Sequence, residues 1–240
     1  MKKKTESCFG DEHLMVDETM LDKICGYASL SETDVVLEVG AGTGNLTKVI
    51  AKEAGRVYAI EKNEELFQEL ESNLKDYKNV DRIWGDATKL KFPECNKVVS
   101  NLPYSISRKI TKKFLLHGFD LAVLVYQKEF AQKLLADVGS DHYRMITVLV
   151  QSSCEVEVLG DISPEAFQPQ PNVWSSIVRL KMKRKPTEEY AELLNDLFNH
   201  KNKKIRNIRK DAPEEYAARI PCEIPAEEFI NLYEKYYNKR

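Results

Sequence analysis

Asn101-Leu102-Pro103-Tyr104 follows the apolar run Lys97-Val98-Val99-Ser100. Its residue types suit one unusual task, making an exocyclic aromatic amine nucleophilic. The lone pair of such an amine is delocalised into its ring. Acceptors that hold the amino hydrogens draw the nitrogen towards tetrahedral geometry and return the lone pair to it. The Asn101 side-chain oxygen and the Leu102 carbonyl are two such acceptors, and Pro103 stiffens the backbone that aims the carbonyl. Tyr104 offers a flat face on which a base can stack. An ordinary turn after a strand also favours Asn and Pro, so the tetrapeptide needs support from elsewhere in the chain.

That support lies upstream. Val35-Val36-Leu37-Glu38-Val39 runs into Gly40-Ala41-Gly42-Thr43-Gly44, and a helical pattern (Leu46, Val49, Ile50) follows. Gly40 and Gly42 let a ligand approach the backbone closely. The next strand, Val57-Tyr58-Ala59-Ile60, ends in Glu61, about twenty residues on, where an acid can accept hydrogen bonds from a ribose diol. A tight strand-to-helix turn alone would not require that acid. The Gly-x-Gly-x-Gly spacing lacks the third glycine of the dinucleotide fingerprint, which tilts the reading from NAD towards S-adenosylmethionine, a nucleoside without a pyrophosphate. Ile83-Trp84-Gly85-Asp86-Ala87 places a further carboxylate at a strand end, suited to an adenine amino group or to a helix cap.

With these motifs in this order the chain resembles the ribosomal RNA adenine N6,N6-dimethyltransferases that act on small-subunit RNA, in their archaeal form. The likeness runs from about Asp11 to Lys183 and continues more loosely to the C-terminus. Phe167-Gln168-Pro169-Gln170-Pro171-Asn172-Val173-Trp174-Ser175 matches the family's Phe-x-Pro-x-Pro-x-Val-x-Ser. The resemblance implies a target base held between Tyr104 and Phe167, with Asn101 and Leu102 at its amine. It implies a cofactor, S-adenosylmethionine, lined by His13, Met15, Gly40, Gly42, Glu61, Asp86, Ala87 and Asn101. The family's Gly-Gln-Asn/His-Phe-Leu segment is replaced here by Asp11-Glu12-His13-Leu14-Met15, which sets Glu12 beside a sulfonium or in solvent.

Composition agrees with a soluble enzyme. The chain has 240 residues, 42% hydrophobic, with a net charge of −2, and a mean hydropathy of −0.46. No apolar run approaches the roughly twenty residues that span a bilayer, and the N-terminus lacks the apolar core of a secretory signal. Met1-Lys2-Lys3-Lys4 reads as a solvated basic tail. Five scattered cysteines (Cys8, Cys25, Cys95, Cys154, Cys222), with no Cys-x-x-Cys, read as free thiols in a reducing cytoplasm and argue against structural zinc. No metal is expected. Basic residues concentrate at Arg108, Lys109, Lys112 and Lys113, beside the tetrapeptide, and again at Lys201, Lys203, Lys204, Arg206, Arg209 and Lys210. The first group suits phosphate contacts; the second, on a helix, would spread over more than one face.

The elements that must position these motifs alternate through the first 130 residues. Strands are expected near 35–39, 57–60, 81–84, 97–100 and 121–127, with helices at 17–29, 45–54, 64–75, 107–117 and 128–137. Ile146–Gln151, Glu155–Leu159 and Ser175–Lys181 read as successive strands of an antiparallel edge. The expected class is α/β, a Rossmann-like class I methyltransferase sheet with a small C-terminal all-α domain. Its expected divisions are a cofactor-flanking tail (1–16), a methyltransferase domain (17–183) and a helical RNA-docking domain (184–240), where Tyr190, Leu193, Leu194, Leu197 and Phe198 recur at helical spacing. The expected partner is small-subunit ribosomal RNA or a pre-30S-type particle, met by a monomer. The sequence also admits an adenine methyltransferase of large-subunit RNA or DNA, and a non-catalytic assembly factor on the same fold. Protein-glutamine methylation uses Asn-Pro-Pro-Tyr, from which Leu102 departs.

Overall fold

In the computed structural model the described residues are 13–237. Asp11, Glu12 and the basic tail therefore lie outside them. Five parallel strands form the main part of a seven-stranded sheet: β2 (Val35–Val39), β3 (Arg56–Glu61), β4 (Val80–Trp84), β5 (Lys97–Asn101) and β6 (Leu121–Gln127). Between them run α1 (Glu18–Ala28, ahead of β2), α2 (Asn45–Glu53), α3 (Glu64–Asn73) and α4 (Ser107–His117). A short leading strand, β1 (Leu14–Met15), stands outside this sheet. With β7 (Cys154–Ile162) and β9 (Ser175–Met182) the sheet order is β4-β3-β2-β5-β6-β9-β7, and β9 runs antiparallel to β6.

The order reverses between β2 and β5, so the chain leaves these two neighbours in opposite directions. That opens a crevice at their carboxyl ends, where α/β sheets bind ligands. Val36 pairs with Lys97 and Leu37 with Val98, which brings Gly40 and Asn101 out side by side. The opposite end of this pair is pinned by polar groups. Lys97 Nζ donates to Asp34 (2.9 Å), to the Ala28 carbonyl (3.0 Å) and to the Ser29 carbonyl (2.6 Å). Asn96 donates to Asp34 and accepts from the Val35 N–H at 2.8 Å. These bonds fix the register that the site depends on.

Local chemistry sets the helix starts. Asp17 caps α1 by accepting from the Met20 N–H, and Asn63 caps α3 by accepting from the Glu65 and Leu66 N–H groups; each such cap contributes about 1 kcal/mol. Two expectations change here. Residues 146–151, expected as a strand, form α6 (Met145–Ser153) after α5 (Lys128–Leu134). Ile146, Val148, Leu149 and Val150 are all buried. A helix wrapped on all sides reads in sequence as a bare apolar run, and β-branching then points the wrong way. The other change is β8 (Phe167–Gln168), a short strand that the expected elements did not include, which pairs with β1.

The chain forms two compact units. One comprises residues up to Ala131 together with Glu157–Lys181; the other comprises Gln132–Val156 and the residues from Met182 onward. The second unit contains α6, α7 (Glu188–Asn199), α8 (Ile205–Ile208), α9 (Glu214–Ala217) and α10 (Glu228–Tyr237). Its division from the sheet is therefore not a single cut near residue 183, because α6 packs with α7 and α10. Within it Tyr190, Leu193, Leu194 and Leu197 are buried. The second basic cluster falls on turns and the single-turn α8 rather than on one long helix, and Arg209 pairs with Asp196 and Asp211.

Candidate active site

The glycine loop leaves β2 with positive φ at Gly40 (75°) and Gly42 (58°). A Cβ on Gly40 would lie 2.8 Å from Pro103 Cδ, and one on Gly42 would lie 2.4 Å from Leu14 Cδ2. The glycines thus allow the tetrapeptide and β1 to close onto the loop. Glu61, at the end of β3, ties the loop down. Its Oε2 accepts from the Gly42 N–H (2.8 Å), and its Oε1 from the Lys62 and Asn63 N–H groups (2.7 Å each). Three of the roughly four acceptor sites of a carboxylate are thereby used, and one remains. At the end of β4, Asp86 Oδ1 accepts from the Thr88 N–H (2.9 Å) and hydroxyl (2.8 Å). Those bonds hold its carboxyl below the usual range.

Gly40, Glu61, Asp86, Ala87, Pro103 and Lys109 line a cavity of about 370 Å³, within the size range of small-molecule sites. Two smaller cavities adjoin it through Gly40. One, of about 30 Å³, is lined by His13, Gly42, Glu61, Asn101 and Tyr104 among others. The other, of about 20 Å³, is lined by Met15, Glu38, Asn45 and Asn101 among others.

Asn101 is oriented by its surroundings. Its Nδ2 donates to the His13 carbonyl at 2.9 Å, which fixes the amide and leaves Oδ1 as the acceptor. Leu102 is anchored through its N–H to the Val125 carbonyl (3.3 Å). The Tyr104 hydroxyl shares a 2.7 Å hydrogen bond with the buried Ser175 hydroxyl. Burial raises the phenol's pKa, and the bond to Ser175 partly offsets this. The His13 ring stands 5.4 Å from the Tyr104 ring, tilted by 34°, and its Nδ1 is 2.8 Å from the Pro169 carbonyl. Met15 is buried, and its carbonyl accepts from Asn45.

Phe167 is not brought onto the cavities. Paired with Met15 across the β1–β8 ladder, it is 2% exposed and belongs to the hydrophobic core. The ring opposite Tyr104 here is that of His13. Of the first basic cluster, Arg108 and Lys109 are exposed and Lys112 is half-buried. Lys109 Nζ donates to Thr88 Oγ1 at 3.2 Å. Lys113 serves the fold: its Nζ donates to the Ala87 and Leu90 carbonyls and lies 4.2 Å from the Phe92 ring centroid.

Glu38 was passed over in the sequence, where it sits inside an apolar strand. Its Oε2 is buried and has no hydrogen-bond partner among the described residues. Burial pushes its carboxyl up to about 8; the nearby Thr47 hydroxyl works against this and the charge of Glu61 adds to it. The signal was available, since an acid in Val-Val-Leu-Glu-Val is out of place in a strand buried on both faces. Ser175 stands in the sequence as the last residue of the proline-rich motif, and the tertiary fold sets its hydroxyl against Tyr104.

The comparisons with known proteins agree with this geometry. The model of the ribosomal RNA adenine dimethylase family matches residues 2–220. A probable ribosomal RNA small subunit methyltransferase A of Methanococcoides burtonii is 41% identical over 202 residues, covering 82% of this chain and 75% of that protein. Its counterpart in Thermococcus onnurineus is 43% identical over 206 residues, covering 84% and 74%. The crystal structure of a dimethyladenosine transferase from Plasmodium falciparum superimposes with a TM-score of 0.81 at 28% identity, covering 95% of this chain and 98% of that one. A switch-point crevice, an oriented Asn-Leu-Pro-Tyr and a match along nearly the whole chain converge on one conclusion: this chain belongs to the ribosomal RNA adenine dimethylase family.

Proposed function

We propose that this protein transfers methyl groups from S-adenosylmethionine to N6 of adenosines in small-subunit ribosomal RNA, giving N6,N6-dimethyladenosine. The observation that carries the reading is the Asn101 amide, whose Nδ2 is committed to the His13 carbonyl so that Oδ1 is the end left to accept from an amine. S-adenosylmethionine, when bound, supplies a methyl group on a sulfonium, an electrophile that requires no covalent enzyme intermediate.

The residues present fit that cofactor. Glu61 retains an acceptor site for a ribose diol, Asp86 Oδ2, 3.8 Å from the Lys89 ammonium, can accept from an adenine amine beside Ala87, and the Gly40–Gly42 loop, His13 and Met15 supply the remaining walls. On the target side, Asn101 Oδ1 and the Leu102 carbonyl would hold the amino hydrogens, and Tyr104 would stack on a base flipped from its helix. Phe167 enters as the buried support of its loop rather than as an open face. Arg108, Lys109 and Lys112 would meet phosphates, with the helical unit adding to RNA docking. The acceleration then comes from positioning and from acceptors set in place beforehand.

Methyl transfer from labelled cofactor to under-methylated small subunits, followed by digestion to nucleosides, tests the reading. Wild type is expected to make dimethyladenosine, and Asn101→Ala to lose about 10²–10³-fold in kcat. Cofactor binding without transfer to small subunits sinks the substrate assignment.

A further inference from the structure

Trp174 belongs to the proline-rich motif, yet the chemistry above gives it no role. It is 51% exposed, and its neighbour Val173 is 45% exposed. A single exposed apolar side chain needs no explanation, but this one stands on a fixed base next to the site. The Lys128 N–H donates to the Trp174 carbonyl at 2.9 Å. The two following residues are buried and held through their hydroxyls, Ser175 by Tyr104 (2.7 Å) and Ser176 by Asp161 (2.6 Å). Ser175 pairs with Gln127 at the carboxyl end of β6, the same sheet end from which Asn101 emerges. Trp174 is thus one residue removed from the group that holds the proposed stacking tyrosine.

The surrounding charge narrows what could lie on this ring. Lys128 Nζ is 6.0 Å from the indole centroid but is already paired with Asp161 at 2.6 Å. Lys128 is thus already committed to Asp161, whereas a base would find the half-exposed face of the indole. We propose that Trp174 is a stacking platform for a nucleotide flanking the target adenosine in single-stranded RNA. This rests on the RNA methylation reading above and extends it to a second base.

The test is the equilibrium affinity of the full-length protein for under-methylated small ribosomal subunits, compared among wild type, Trp174→Ala and Trp174→Phe. Loss of one base–aromatic stack predicts about a ten- to hundred-fold weaker complex for the Ala variant. The Phe variant should stay within a few-fold of wild type, and cofactor affinity should not move in either. The slope of log affinity against log salt should be unchanged, because no phosphate contact is lost. Ultraviolet cross-linking should attach the Trp174 peptide to a nucleotide. Unchanged affinity in the Ala variant, an equal loss in the Phe variant, or a cross-link to a ribosomal protein overturns the platform and leaves the methylation reading standing. Failure of wild type itself to bind small subunits overturns both.

Discussion

Replacing Glu38 by Gln removes a titratable group while keeping its shape, and the structure sets the size of the effect. Glu38 is 1% exposed, with one oxygen unpartnered among the described residues. Its carboxyl is raised from an ordinary 4.5 to about 8, chiefly by burial. The folded chain therefore binds this proton more tightly than the unfolded chain. Its contribution is fully present below the unfolded value near 4.5 and is lost as pH rises through about 8. Each unit of that window costs about 1.4 kcal/mol, so the whole window is worth about 5 kcal/mol. The Gln variant does not titrate here. Urea unfolding of both proteins without cofactor, from pH 5 to pH 9, should show the variant gaining on wild type by about 1.4 kcal/mol per unit, then levelling above pH 8. Contributions from other groups are common to both proteins and cancel in the difference. Parallel stability curves across this range would refute the argument and mean that Glu38 is ionised and solvated in the folded state.

Three other perturbations probe the frame of the site. Gly42→Ala puts a Cβ 2.4 Å from Leu14 Cδ2 at a φ of 58°; the backbone part of its cost is about 1–2 kcal/mol. Adding Leu14→Ala should relieve the steric part alone, so complete recovery of the urea midpoint would contradict the strain at Gly42. Ser175→Ala leaves the Tyr104 hydroxyl without its 2.7 Å partner and should cost about 1–3 kcal/mol. A double-mutant cycle with Tyr104→Phe should give a coupling of about 1 kcal/mol, and a coupling near zero would mean the bond contributes nothing. Lys97→Met strands a nearly buried Asp34, whose carboxyl is held below its usual value because bonds from Asn96, Lys97 and Ser31 outweigh the opposing effect of burial. The expected loss is about 3–5 kcal/mol at pH 7, shrinking as acid protonates Asp34, and thermal melts at pH 7 and pH 4 read both.

What the sequence determined by itself is what short-range chemistry controls. Asp17 and Asn63 cap helices because their oxygens reach N–H groups two or three residues away. The apolar runs of β2 and β6 start and stop where expected, at Val35–Val39 and Leu121–Gln127, since buried parallel strands are nearly unbroken apolar segments. The motif order also sufficed to bring Gly40, Glu61, Asp86 and Asn101 to one crevice, because all follow strands of a single parallel sheet. Contacts between distant residues were decided only by the tertiary structure. Residues 146–151 became helix because their burial overrides β-branched preference. Phe167 turned to the core because Met15 pairs with it from 152 positions away. Glu38 acquired its raised carboxyl, and Lys113 its carbonyl ligands, from neighbours that no local window contains. Burial and long-range pairing are properties of the folded chain, and they fixed where each of these side chains points.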